Sequence, residues 1–372
     1  MILVALLKEY GWSRSLLAGA FSVFTLVHGA ANPLVGVLCD RVRPLALQAA
    51  GGAALGAALL ACSFIDAPWQ LYLYFGVLTA AAVATAGWIP ALVQVQREFQ
   101  DRLGLALGIV SSGVGVGMLL VVPLTQLLID AWGWRTAFRV LGAASALWIV
   151  PSSIWLLRRA PARRPQPQAV ASSAAPRRPV TLAEALRGEP FWLMLAAFFF
   201  GNVCSQTLHV HQVAYLVDQG VAAIAAASVV GVVGAASIVG KTGGGWLADR
   251  VERELVYVAG IAVMLAAVAV LAAAAPGALA IYGYAVLLGL GYSVTASLIP
   301  AMVSDRFSGA HFGAIVGVGL MGSAAGSALG PWMAGFLFDL AGSYLPAFAI
   351  AAGCGLVAGA AGWRARTLRL AA

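Results

Sequence analysis

The feature that most limits what this chain can become is its succession of long apolar runs. Breaking the sequence at charges, prolines and polar clusters leaves runs near 15–38, 44–64, 69–95, 103–129, 136–157, 190–217, 221–246, 255–275, 278–302, 309–338 and 344–363. A helix rises ~1.5 Å per residue and a hydrocarbon core is ~30 Å thick, so about 20 apolar residues cross it. Each of the eleven runs is long enough. Strands of a transmembrane barrel would need ~10 residues of alternating polarity, which such continuous runs do not show. An all-α membrane protein is expected. Composition agrees, with 62% of the 372 residues hydrophobic and 10% charged, against ~25% charged in a soluble domain.

The charges that remain are punctuation. A formal net charge of +8 would suit nucleic acid only if the basic residues clustered with aromatics on one face; here they sit between apolar runs, and no nucleic-acid partner is expected. Cys39, Cys62, Cys204 and Cys354 are scattered through apolar stretches without metal or disulfide spacing and read as small buried hydrophobes. The longest polar stretch, Arg158 to Pro190, is rich in Pro, Ala, Ser and Arg and reads as a linker. Its seven arginines mark it as cytoplasmic. Alternating the runs outward from it puts 18 basic residues inside and four outside (Lys8, Arg14, Arg135, Arg139). The expected location is a cell (inner) membrane, with the linker and C-terminus cytoplasmic.

Sliding the chain against itself by 209 residues aligns its landmarks. Gly36-Val-Leu-Cys-Asp40-Arg41 falls on Gly245-Trp-Leu-Ala-Asp249-Arg250, Gly104 and Gly108 on Gly313 and Gly317, Gly113 and Gly117 on Gly322 and Gly326, and Asp130 and Gly133 on Asp339 and Gly342. Chance does not hold one offset over such a length. The chain reads as two parallel copies of one helical unit, residues 1–157 and 190–372, joined by a basic linker at 158–189. Transporters that rock two halves about a midplane site have this arrangement. The spaced glycines are small-xxx-small faces that let helices approach closely.

The same offset interprets the opening segment. Met1 to Leu7 is too short to span and lacks the basic flank and cleavage site of a secretory signal. Leu7, Glu9 and Gly11 fall on Leu216, Asp218 and Gly220, so these residues correspond to the outer end of a first helix whose start is expected upstream of Met1.

On these residues the chain resembles the major facilitator superfamily. GVLCDRVRP and GWLADRVER look like the two copies of its cytoplasmic loop motif. KEYGWSRS, RLGLALGIVSSGVGVG, GWRTAF and VHQVAYLVDQG are similar to a bacterial monocarboxylate-porter-like branch. The resemblance implies two pseudo-symmetric six-helix bundles, with the opening fragment as part of the first helix. It also implies a cytoplasmic gate built from Gly36, Asp40, Arg41, Gly245, Asp249 and Arg250. Asp40 would face the start of the eleventh helix and Asp249 that of the fifth, where a carboxylate is stabilised by typically about 0.3–1 kcal/mol. Arg41 and Arg250 would pair locally. Arg43 and Glu252 stand where the motif has glycine, and Pro44 where it has a basic residue.

By resemblance the first, fourth, seventh and tenth helices line a central cavity. In the seventh, GNVCSQTLHVHQVAY, residues Asn202, Gln206 and His209 share one stripe and Cys204, Thr207, His211 and Tyr215 roughly the opposite one. Two histidines that do not converge disfavour a metal site, and no cofactor is expected. His209 or His211 is the principal substrate candidate, with His28, Trp88, Tyr284, Tyr292 and Thr295 as further lining. The fourteen acidic residues lie in loops or at helix ends, so no carboxylate stands mid-membrane as a proton relay. Lys241 is either a snorkelling anchor or an anion-attracting charge, and histidine is the available proton carrier.

The expected function is secondary transport of a small organic anion, carboxylate-like, by alternating access, with a proton as candidate co-substrate and a monomer as the expected assembly. An exporter of hydrophobic compounds, and a non-transporting transporter-like sensor or truncated inactive transporter, are the alternatives. No nucleophile, base and orienting group occur at workable spacing, so an enzyme is not expected.

Overall fold

A computed structural model describes residues 2–98, 103–159, 182–273, 277–307 and 312–370. Among them the chain forms α1 (Ile2–Tyr10), α2 (Arg14–Arg41), α3 (Pro44–Cys62), α4 (Pro68–Gln70), α5 (Ala80–Ala86), α6 (Trp88–Glu98) and α7 (Leu103–Arg159). Then follow α8 (Leu182–Arg187), α9 (Glu189–Asp218), α10 (Ala223–Ala248), α11 (Arg253–Ala273), α12 (Ala278–Arg306), α13 (Phe312–Ala341) and α14 (Leu345–Leu370). Most of the expected linker, 160–181, lies outside the described residues.

Nine stretches of the described residues are long and apolar enough to cross a bilayer. One, Ser112–Arg159, bends at Gly133 and is long enough for two crossings, and α13 is a further helix of 30 residues. Each of the eleven expected runs is therefore mainly helical where it is described, and the chain is a multi-pass membrane protein. Local chemistry sets several helix starts. The Ser13 hydroxyl accepts the Leu16 N–H at the start of α2, and prolines 44 and 68 open α3 and α4 where a missing N–H costs nothing. Between α4 and α5 the stretch Leu71–Thr79 is a π-helix. The Thr79 hydroxyl donates to the Tyr74 carbonyl 2.8 Å away, five residues back, in keeping with the wider turn.

The 209-residue repeat is visible in the backbone. Among the described residues positive φ occurs at four glycines, Gly11 (64°), Gly133 (78°), Gly220 (84°) and Gly342 (65°). They are two pairs at that offset, ending equivalent helices with a conformation that only glycine adopts cheaply. All four turns lie on one face of the bundle, called here the glycine-turn face. Asp40 and Asp249 end helices on the opposite face.

Helices α9 to α14 enclose the larger core, in which Tyr257, Tyr284, Met264 and Leu288 are fully buried. α1 seats Leu6 among Leu17, Cys62, Ile65, Trp134 and Phe138 of the first bundle. The bundles meet where α2 packs on α13 and α7 on α10. One expectation about the glycines needs correcting. In α7 the close approach to α10 is made by Gly115, whose Cβ would meet Ile238 and the Gly234 carbonyl, whereas a Cβ at Gly113 or Gly117 would meet nothing among the described residues. In α13, Gly322, Gly326 and Gly330 do pack, against Leu195, Phe199 and Val203 of α9. Side-chain spacing alone does not tell which side of a helix its neighbour occupies. The surroundings of Gly104, Gly108, Gly313 and Gly317 lie outside the described residues.

Candidate functional site

The polar stripe of α9 divides into three environments. Asn202 is turned into the second bundle: its amide donates to Ser323 Oγ at 2.7 Å, and Ser327 donates to its Oδ1 at 3.1 Å, tying α9 to α13. Gln206 is half-buried one turn on. His209, in the second half of α9, has Nδ1 2.8 Å from the Ser205 carbonyl. A carbonyl only accepts, so Nδ1 carries the hydrogen and the neutral ring presents a bare lone pair at Nε2. That Nε2 is buried and has no hydrogen-bond partner among the described residues. The ring packs edge-on against Tyr292 of α12, centroids 4.4 Å apart. The half-buried ammonium of Lys241, in α10, is within electrostatic reach of it. Lys241 has no acidic partner among the described residues. An imidazole edge, a phenol ring and a cation without an acidic partner among the described residues thus come from three helices of the second bundle.

The remaining sequence candidates lie elsewhere. His211 is wholly buried, with Nδ1 2.9 Å from the Tyr344 hydroxyl and Nε2 2.8 Å from the Pro331 carbonyl, so both ring nitrogens are engaged. Tyr284 is also buried and donates to Gln212 Oε1. The Thr295 hydroxyl donates to its own helix at Tyr292. In the first bundle His28 stacks on Phe24, in line with Phe75, and Trp88 is exposed at the start of α6, just after the backbone break at Gly87.

On the face opposite the glycine turns, a Cβ at Gly36 or Gly245 would meet no atom within 4 Å among the described residues, among which Arg41, Asp249 and Arg250 are exposed. Among the described residues Arg250 reaches no carboxylate. Its guanidinium lies 3.9 Å above the Trp246 ring and donates to the Trp246 carbonyl, because the ring offers a flat apolar seat one turn away. The side chain of Asp40 and the residues before α7, expected to face Asp249, lie outside the described residues. Glu252, the departure from glycine in the second loop, accepts from Arg366 at 2.5 Å and ties that loop to α14.

A polar network on the glycine-turn face was not legible as a site in the sequence. The backbone N–H groups of Arg14 and Ser15, first in α2, donate to Asp339 of α13 at 3.0 and 2.8 Å. The Arg14 guanidinium pairs with Asp218 at 2.8 Å, donates to the Tyr344 hydroxyl at 2.7 Å and lies 3.8 Å above the Phe338 ring. Within the first bundle, Arg135 joins Glu9, Asp66 and the Tyr10 hydroxyl. The Arg135 guanidinium, with help from the Tyr10 hydroxyl, holds the Asp66 carboxyl below its ordinary value. The signal that would have pointed here is the repeat itself, since Glu9 and Asp218, and Asp130 and Asp339, are counterparts.

The sequence matches the model of the Major Facilitator Superfamily over residues 1–285 and 218–370. Monocarboxylate transporter 13 of Rattus norvegicus is 28% identical over 346 residues, covering 91% of this chain and 77% of that protein. Monocarboxylate transporter 11 of Mus musculus is 30% identical over 87% of this chain and 73% of its own length. The uncharacterized MFS-type transporter YhjX of Escherichia coli is 26% identical over 84% of this chain and 77% of its own. Among solved structures, a point mutant of the nucleoside transporter NupG aligns with a TM-score of 0.76 at 13% identity, covering 98% of this chain and 94% of the other. A bacterial homolog of the human lysosomal transporter Spinster, solved inward-facing and unoccupied, aligns at 0.69 and 16% identity, covering 98% and 92%. At those identities the likeness is one of fold.

Proposed function

The chain belongs to the Major Facilitator Superfamily, and on that premise we propose that it moves a small organic anion, carboxylate-like, across the membrane by alternating access, together with a proton. The observation that carries this reading is the state of His209. With Nδ1–H committed to the Ser205 carbonyl, the neutral ring offers a carboxylate only a lone pair and repels it. A protonated ring offers an N–H at Nε2 and a positive charge. Anion and proton therefore bind each other's complex better than the empty site, which is a coupling free energy between two ligands. Lys241 adds a standing positive charge, and the half-buried Gln206 supplies an amide on the same stripe. The monocarboxylate substrates named for the relatives support the same class of anion.

In this reading residues 1–157 and 190–372 are the rocking units of one monomer, and the segment 158–189 joins them on the cytoplasmic side of a cell (inner) membrane. The glycine-turn face is then outer, a placement supported by the excess of basic residues on the other face. Contacts between the bundles at the outer ends of α2, α13 and α9 correspond to an inward-facing state. Asp40 and Asp249 close the cytoplasmic side in the alternate state.

The test is uptake of radiolabelled short monocarboxylates into proteoliposomes with an imposed pH gradient. Uptake driven by an inward proton gradient is expected, reduced at least about tenfold by His209→Gln and by Lys241→Gln while both variants keep the parent's elution profile. Carboxylate counterflow that is absent, or unaltered in both variants, would sink the reading.

A further inference from the structure

The two copies of the repeat are not closed alike on the outer face. In one copy, Asp339 accepts the two N–H groups that begin α2, so a helix of the first bundle is capped by a carboxylate of the second. Arg14 then reaches back across the same boundary to Asp218 and Tyr344. The chain of donors has one direction. The Pro331 carbonyl must accept, so His211 carries its hydrogen on Nε2; Nδ1 therefore accepts from the Tyr344 hydroxyl, which in turn accepts from Arg14. Beneath these groups the Ser22 hydroxyl donates to the Ala328 carbonyl, again from bundle to bundle.

The offset places Asp130 opposite the start of α10, where Ala223 and Ile224 are the counterparts of Arg14 and Ser15. Nothing equivalent forms there among the described residues. α10 begins without a side-chain cap, and Asp130 instead accepts from Gln126 of its own helix at 2.7 Å. A cavity of about 340 Å³ lies between, lined by Gln126, Asp130, Gly133, Trp134, Val217 and Ala223. No arginine stands at the Arg14 position of this copy, and the place of Tyr344 is taken by Arg135, which turns to Glu9 and Asp66 within its own bundle.

We propose that the outer gate is a one-sided latch: Asp339 on the start of α2, with Arg14 held between Asp218 and Tyr344, keeps the outer face shut, and Asp130 contributes nothing to closure. The latch can exist only while α2 and α13 are together at their outer ends, so it is broken in every outward-facing state. This inference rests on alternating access but on no particular substrate.

It is tested in the full chain carrying Ala328→Cys, a buried position at the bundle boundary, by the rate of labelling with a membrane-impermeant maleimide from the outer side and without substrate. The parent without that cysteine supplies the background. Neutralising a carboxylate at a helix start weakens closure enough that Asp339→Asn is expected to raise the labelling rate about fivefold. Arg14→Gln, which alters the other side of the contact, is expected to raise it as well and decides the matter if Asp339→Asn does not fold. Asp130→Asn is expected to leave the rate within about twofold of the parent. Labelling at the parent rate in Asp339→Asn and Arg14→Gln, or an equal rise in Asp130→Asn, overturns the latch. Because no anion is present, failure of carboxylate uptake would remove the substrate reading and leave this result untouched.

Discussion

Replacing Gly335 by alanine puts a methyl group where two bundles touch. Its Cβ would lie 2.7 Å from the Arg14 carbonyl oxygen and 2.8 Å from both Arg14 C and Ser15 N. Ordinary contact begins near 3.4 Å, so α2 and α13 must separate by about 0.7 Å, and the obstructing atoms are backbone that cannot rotate away. Overpacking of this kind costs ~1–3 kcal/mol. The clash exists only with the outer face closed, so the cost falls on the balance between states, about 5- to 150-fold toward the open one. Spin labels at Phe64 of the first bundle and Leu345 of the second, both exposed, would report it as a longer distance population. Gly326→Ala is the control. Its methyl would strike the Phe199 backbone inside the second bundle, lowering the melting temperature with no preference between states. An unchanged distance distribution in Gly335→Ala, or an equal shift in Gly326→Ala, would refute the division of the contacts into those within and those between bundles.

Other expectations follow from single features. Gly133→Ala and Gly342→Ala should each destabilise the fold by about 1–3 kcal/mol, because both backbones are left-handed. Gly113→Ala and Gly117→Ala, whose methyls would meet nothing, should be neutral or stabilising by up to ~1 kcal/mol; melting temperatures separate the two groups. Asp66 is held below its ordinary value by Arg135 and Tyr10, so its folded value lies under its unfolded one. Its stabilising effect is full above about pH 4 and is lost as the pH falls further. Melting curves of Asp66→Asn should therefore converge with the parent's at low pH and diverge above it, and parallel curves would sink this assignment.

How much was legible beforehand depended on the kind of force involved. The hydrophobic periods that must match a bilayer, the basic residues that mark one side, and the glycines that end equivalent helices are all local demands of the backbone and the solvent. The eleven runs, the 209-residue repeat and the pairs Gly11/Gly220 and Gly133/Gly342 could therefore be read from residue types. The two histidines of α9 could be put on opposite stripes by helical geometry, though not given different neighbours. That His209 keeps a nitrogen with no partner among the described residues beside Tyr292, whereas His211 has both nitrogens occupied, depends on which helices arrive against each side of α9.

The sequence by itself determined the class of protein and its two-fold repeat, with Gly11/Gly220 and Gly133/Gly342 as matched positions at its offset. Only the tertiary structure decided that Gly115 rather than Gly113 makes the close approach of α7 to α10, and that Asp339 caps a helix of the other bundle while its counterpart Asp130 does not. The physical reason is that hydropathy and backbone strain are properties of a residue and its neighbours along the chain. A hydrogen bond or a steric contact between residues more than a hundred positions apart is a property of how the bundles dock, and identical residue types at repeat-related positions can meet different partners there.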